Sequence, residues 1–139
     1  MKPTHIIIHH SATNDGRTVS WEAIRWYHTR TNGWHDIGYH FGVELLDMGY
    51  EILVGRMPTE TGAHTVGMND KAIGICLVGN FDVAPPPAKQ LDLTIRLTRS
   101  LMTLLSIPVD HVHRHADFSQ KTCPGKLFPW DDFIDRIAG

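Results

Sequence analysis

Apolar and polar positions along this chain fall into short blocks whose period changes from one block to the next. Residues 5–10 (His-Ile-Ile-Ile-His-His) are apolar and β-branched between histidines, which predicts a buried strand. Ser20 can cap a helix predicted over 21–30, and Glu22 sits in the first turn, where the helix dipole favours an acid. A strand is expected over 39–46, turned by Asp47-Met48-Gly49 into a second strand near 51–54 to make a hairpin. Residues 72–78 (Ala-Ile-Gly-Ile-Cys-Leu-Val) are apolar on both alternations and predict a strand covered on both faces. The stretch 91–105 carries two signals. Leu91, Leu93, Ile95 and Leu97 alternate like a strand, whereas Leu97, Leu101, Leu104 and Leu105 keep helical spacing. Its length, with no Gly or Pro, exceeds most strands and decides for a helix, opened by Pro85-Pro86-Pro87 and closed near Pro108. A short strand over 111–113 and a terminal helix over 131–138 complete the pattern. Strands and helices intermixed in this way predict an α+β (mixed α/β) fold, a central mixed sheet flanked by helices.

Composition narrows this picture. A chain of 139 residues, with no internal repeat and no dividing linker, is expected to be one domain over 1–139. The longest apolar runs, such as Ile6-Ile7-Ile8, are far too short to cross a bilayer. The start Met1-Lys2-Pro3-Thr4-His5 has no apolar signal region, so the chain is expected to be cytoplasmic when synthesised. A net charge of −2 without a basic stripe argues against a nucleic-acid partner held through its phosphates. Binding is therefore expected through a shaped site. Cys76 and Cys123 would both stay reduced in a cytosolic chain, and Cys76, in the most apolar strand, reads as a structural thiol.

Histidine is the compositional outlier, with ten in the chain. His111-x-His113-x-His115 would share one face of an extended strand, and Cys123 follows shortly after. Imidazole and thiolate suit zinc, whose catalytic sites hold three protein ligands and one open position. His9 and His10 face opposite ways on a strand, so at most one of them joins the same site. Spacing alone leaves a His-His-His and a His-His-Cys site equally open.

Five segments, in order, resemble the type-2 N-acetylmuramoyl-L-alanine amidases, a family that includes short phage endolysins and the peptidoglycan recognition proteins. They are Ile8-His9-His10-Ser11-Ala12-Thr13, Asp36-Ile37-Gly38-Tyr39-His40-Phe41, Gly62-Ala63-His64, Ile73-Gly74-Ile75-Cys76-Leu77-Val78-Gly79-Asn80-Phe81, and His115 with Cys123-Pro124-Gly125. The likeness spans almost the whole chain. It implies one zinc ion on His9, His115 and Cys123, and leaves His10, His111 and His113 as supporting or surface residues. By residue type Tyr39 reads as a core aromatic and Lys121 as a solvated loop charge; the resemblance implies that both are catalytic. Tyr39 would offer a phenolic donor, and Lys121, two residues before Cys123, a positive charge near the oxyanion. His64 and Asn69 match positions that line the cleft and contact substrate. Trp34 is a candidate sugar platform, with buried packing as its competing reading. No Glu stands in a His-Glu-x-x-His arrangement, so no general base is assigned.

The activity implied is hydrolysis of the amide between the lactyl group of N-acetylmuramic acid and the L-alanine of the stem peptide. The partner implied is peptidoglycan or a muropeptide, met by a monomer with no separate wall-binding domain. A phage or prophage endolysin, released to the periplasm through a holin, fits the missing signal. Three alternatives differ in class: a recognition module without catalysis, a zinc peptidase cutting within the stem peptide, and an amidase that also regulates a phage RNA polymerase. The presence of His9, His115, Cys123, Tyr39 and Lys121 together favours an enzyme over the recognition module; no motif supports or excludes the polymerase role, and mass analysis of digested peptidoglycan separates amidase from peptidase.

Overall fold

The N-terminal apolar run forms strand β1 (His5–His10), which lies inside the sheet with every residue from Ile6 onward buried. The protein is described by a computed structural model over residues 1–12, 20–46 and 48–139. Thr13 of the first motif and Asp47 of the expected turn lie outside the described residues. After β1 come α1 (Trp21–Trp26), β2 (Phe41–Leu46), β3 (Gly49–Val54), β4 (Ala72–Leu77), α2 (Ala88–Leu105), β5 (Val112–Arg114) and α3 (Trp130–Ala138). The strands make one sheet in the order β3-β2-β4-β1-β5. β1 runs parallel to β4 and β5, β2 runs parallel to β4, and only the β2–β3 hairpin is antiparallel. This is the mixed sheet expected.

Side-chain alternation divides the core between the two faces. Ile6 and Ile8 of β1 and Ile73, Ile75 and Leu77 of β4 pack with Leu91, Ile95 and Leu101 of α2 and with Phe133 and Ile137 of α3. On the opposite face Cys76 packs with Trp21 of α1 and with Ile37, beside Tyr39. His9 is in register with Cys76, so it shares that second face. β1 leads through α1 towards β2, while β4 leads through α2 to β5 on the other side of β1. The carboxyl ends of neighbouring strands thus feed connections running in opposite directions, the place where open α/β sheets form a crevice. His9 and His10 end β1 at that place.

Several boundaries differ from expectation for identifiable reasons. The helix expected over 21–30 is α-helical only to Trp26, and Tyr27–Thr31 continue as a π-helical turn. There Asn32 N–H donates to the Tyr27 carbonyl, and the Thr29 hydroxyl donates to the Arg25 carbonyl at 2.8 Å. The strand expected from residue 39 begins at Phe41, although His40 N–H still donates to the Gly74 carbonyl and Gly55 N–H to the His40 carbonyl just before it. α2 starts a turn earlier than the leucine pattern, directly after Pro87. β5 is displaced by one residue, to Val112–Arg114, with His111 in a 3-10 turn before it and His115 in another after it. Among the described residues, no helix is long and apolar enough to cross a membrane.

Candidate metal centre

His9, from the end of β1, and His115, from the turn after β5, lie side by side with ring centroids 4.6 Å apart. Cys123 arrives from the loop before α3. One ring nitrogen of each histidine and the Cys123 Sγ all lie within 4.8 Å of one another. His9 Nδ1 is 3.7 Å from that sulfur, and the His10 backbone N–H donates to the sulfur at 3.3 Å. The three alternate histidines do share a face, but the rise of a strand separates them. His111, before β5, and His113, in register with Ile7 of β1, stack instead towards His5, with ring centroids 4.3 and 5.7 Å away. Only His115 reaches the cysteine.

The centre opens on a cleft of about 630 Å³ lined by His28, Trp34, Tyr39, His64 and Lys121 among others. Burial holds the His9 imidazole well below its usual pKa, with neighbouring His64 and His115 adding to the effect. Burial also lowers His115, helped by Lys121. The Cys123 thiol is pushed up to about 11 by burial, against the opposing pull of the His10 N–H and the Lys121 charge. Two neutral imidazoles and a thiol therefore converge where a positive ion would draw off the thiol proton. A soft sulfur and two imidazoles suit zinc, and three ligands around an open cleft leave its fourth position for water or substrate. The residues fit the metal.

The surrounding residues fall into distinct settings. Tyr39 is partly buried 5.1 Å from the His9 ring, and burial, then the thiols of Cys76 and Cys123, holds its phenol well above its usual pKa. It stays a proton donor at neutral pH. Lys121 is exposed on the rim of the same cleft. His64 lies edge-on to His9, with ring centroids 4.9 Å apart. Asn69 Oδ1 accepts from the backbone N–H groups of His64 and Thr65 at 2.7 and 2.8 Å, which closes the loop carrying both. Asn69 also lines a side arm of the cleft with Trp34 and Phe118. Trp34 combines both readings made of it, half-buried against His28 and yet on the cleft wall. His10 supports the opposite side, where its Nδ1 accepts from Phe81 N–H at 3.1 Å. Cys76 is fully buried.

The family model for N-acetylmuramoyl-L-alanine amidase matches residues 1–126. The chain belongs to this amidase family. It is 36% identical over 127 residues to the endolysin of Enterobacteria phage T3, covering 86% of this chain and 78% of that one. Among solved structures, the amidase LysC from Clostridium intestinale superposes with a TM-score of 0.84 at 31% identity, over 98% of this chain and 85% of that one. A variant of Drosophila PGRP-LB in complex with tracheal cytotoxin matches with a TM-score of 0.79 at 28% identity, over 94% of this chain and 80% of that one.

Four residues of the amidase cleft and its supports escaped sequence reasoning. His28 lines the cleft, and its Nδ1 accepts from Gly38 N–H at 2.9 Å. Thr65 is buried, with its hydroxyl 3.2 Å from His9 Nε2. His40 is wholly buried, its Nε2 donating to the Glu60 carbonyl and its Nδ1 accepting from Gly74 N–H. Asp82 accepts from the Thr122 hydroxyl at 2.9 Å and from Lys126 N–H at 2.8 Å, tying down the loop that carries Cys123. The motif containing His40 and the neighbour of His64 pointed to the right segments. No periodicity distinguishes a histidine that supports from one that coordinates.

Proposed function

We propose that this chain is a zinc-dependent amidase that hydrolyses the bond between the lactyl group of N-acetylmuramic acid and the L-alanine of the stem peptide. The observation that carries the reading is the meeting of His9, His115 and Cys123 at the floor of a cleft that also holds Tyr39 and Lys121. Bound zinc would activate water and polarise the scissile carbonyl. His9, His115 and Cys123 would hold it, the thiol giving up its proton on binding. Tyr39 lines the cleft, and its phenol, held beside the buried Cys76 thiol, would stabilise the oxyanion or assist protonation of the leaving amine. Lys121 supplies a positive charge from the rim and also biases Cys123 towards thiolate. Asn69 and Trp34 line the arm in which the substrate lies. Asp82 also borders the cleft, but its carboxylate already accepts hydrogen bonds from Thr122 and Lys126, and the general-base role stays unassigned.

The endolysin relatives support a role in phage lysis. The relative bound to tracheal cytotoxin supports a peptidoglycan fragment as ligand. The test is mass analysis of a defined muropeptide after digestion. The proposal expects an intact stem peptide beginning with L-alanine and an intact muramic acid product. Cleavage within the stem peptide would make the protein a peptidase, and binding without cleavage by the zinc-loaded protein would make it a recognition module.

A further inference from the structure

His64 sits where it can decide which nitrogen of His9 carries the proton. Its Nε2 lies 3.1 Å from the Ala72 carbonyl, which can only accept, so Nε2 carries the proton. With the single proton of the neutral ring held on Nε2 by that carbonyl, Nδ1 is left as a bare acceptor. That acceptor faces His9 Nε2 at 2.9 Å. The Thr65 hydroxyl lies 3.0 Å from His64 Nδ1 and 3.2 Å from His9 Nε2. Its single proton allows two patterns without a clash of lone pairs. In one, His9 Nε2–H donates directly to His64; in the other, it donates to Thr65, whose hydroxyl donates on to His64. Both place the proton on His9 Nε2. Both leave the Nδ1 lone pair directed at Cys123, 3.7 Å away. A third pattern, with His9 Nε2 accepting from Thr65, would set two bare nitrogens against each other at 2.9 Å.

We propose that His64 is a positioning residue: anchored by the Ala72 carbonyl and assisted by Thr65, it fixes the His9 tautomer and ring so that Nδ1 is preformed for the metal. The chain Ala72 carbonyl–His64–His9 carries the order of the sheet into the centre, since Ala72 belongs to β4 and His9 to the neighbouring β1. The site for the His64 ring is built as well. A Cβ at Gly74 would lie 2.6 Å from the ring, and one at Gly62 equally close, so both glycines keep the space it occupies. Partners that orient a ligand's second nitrogen govern metal affinity, and their loss typically costs about 10–100-fold. The role rests on His9 being a ligand, as proposed above, and goes beyond it. It differs from a substrate contact because it acts before any substrate arrives.

The experiment compares wild type, His64→Phe, His64→Gln and Thr65→Val by two readouts. Zinc affinity is measured by competition with a chromophoric chelator, and the His9 tautomer by nitrogen-15 NMR of the metal-free protein. The wild type should show His9 protonated at Nε2. His64→Phe should lose about 10–100-fold in zinc affinity and mix the two tautomers. His64→Gln, which can present an amide oxygen to His9, should recover part of both, and it remains informative if the Phe variant fails to fold. Unchanged zinc affinity and an unchanged tautomer in folded His64 variants, with only KM raised, would overturn the proposal and make His64 a substrate contact. A wild type that binds no zinc would instead defeat the metal reading itself.

Discussion

In the proposed mechanism, single residues divide the cleft between groups that act and groups that hold. Tyr39 and Lys121 face the centre without being needed to build it, so their removal should separate catalysis from metal binding. Tyr39→Phe is expected to lower kcat by about 10²–10³-fold, the usual cost of one oxyanion donor, while zinc content by mass spectrometry stays at the wild-type level. Undiminished turnover would remove Tyr39 from the mechanism. The holding groups leave a different signature. His40 is fully buried as a neutral ring, donating to Glu60 and accepting from Gly74, and burial lowers its pKa from 6.5. His64 is lowered to about 3 for the same leading reason. The unfolded chain therefore binds more protons than the folded one between those values. The stability tied to the neutral rings is complete above pH 6.5 and is lost as the pH falls towards the folded values. Each proton involved should steepen the loss by about 1.4 kcal/mol per pH unit. Thermal melts of metal-free protein across this range check it, and His40→Gln should flatten the slope. A melting temperature independent of pH there would contradict it.

At the level of elements, α1 and the sheet approach closely because a glycine lets them. A Cβ at Gly42 of β2 would lie 2.3 Å from the Trp21 ring, which belongs to the first turn of α1 and is buried on the sheet. Glu44, also of β2, accepts from the Trp21 backbone N–H at 2.9 Å and helps to fix that helix end. Gly42→Ala should therefore push α1 outward and cost about 1–3 kcal/mol of stability, read as a lower denaturant midpoint with an unchanged m-value. An unchanged midpoint would mean that Trp21 moves freely. The elements were largely legible from the chain because β1 and β4 are continuous apolar runs of strand length, while the length of the α2 stretch decided between its two periods. The π-helical turn was not, because it depends on the Thr29 hydroxyl and on Trp34 N–H donating to the His28 carbonyl, contacts without a period. The candidate site was legible in another way. Spacing supplied a pool of histidines and one cysteine, and the family likeness chose His9, His115 and Cys123 from it. Thr65, His28 and the supporting role of His40 depend on how loops return to β1 and β4, which no local pattern encodes.

For the whole molecule, the candidate metal centre joins parts distant in sequence: the end of β1, the turn after β5 and the loop before α3. Binding a metal there should stabilise the fold as a unit. Zinc at about 100 times its Kd would add about 2.7 kcal/mol to unfolding. A chelator should therefore lower the melting temperature of the wild type and leave that of Cys123→Ser nearly unchanged. Equal shifts in the two proteins would show that the chelator acts elsewhere. In the proposed function this assembled centre cuts the lactyl–L-alanine amide. That function is tested most directly by digesting purified sacculi with metal-stripped protein while zinc is added back, and weighing the products. Without metal no release is expected, and with it intact stem peptides and intact glycan strands should rise to a plateau at one zinc per chain. Full release by stripped protein held in chelator, or fragments cut within the stem peptide, would contradict it.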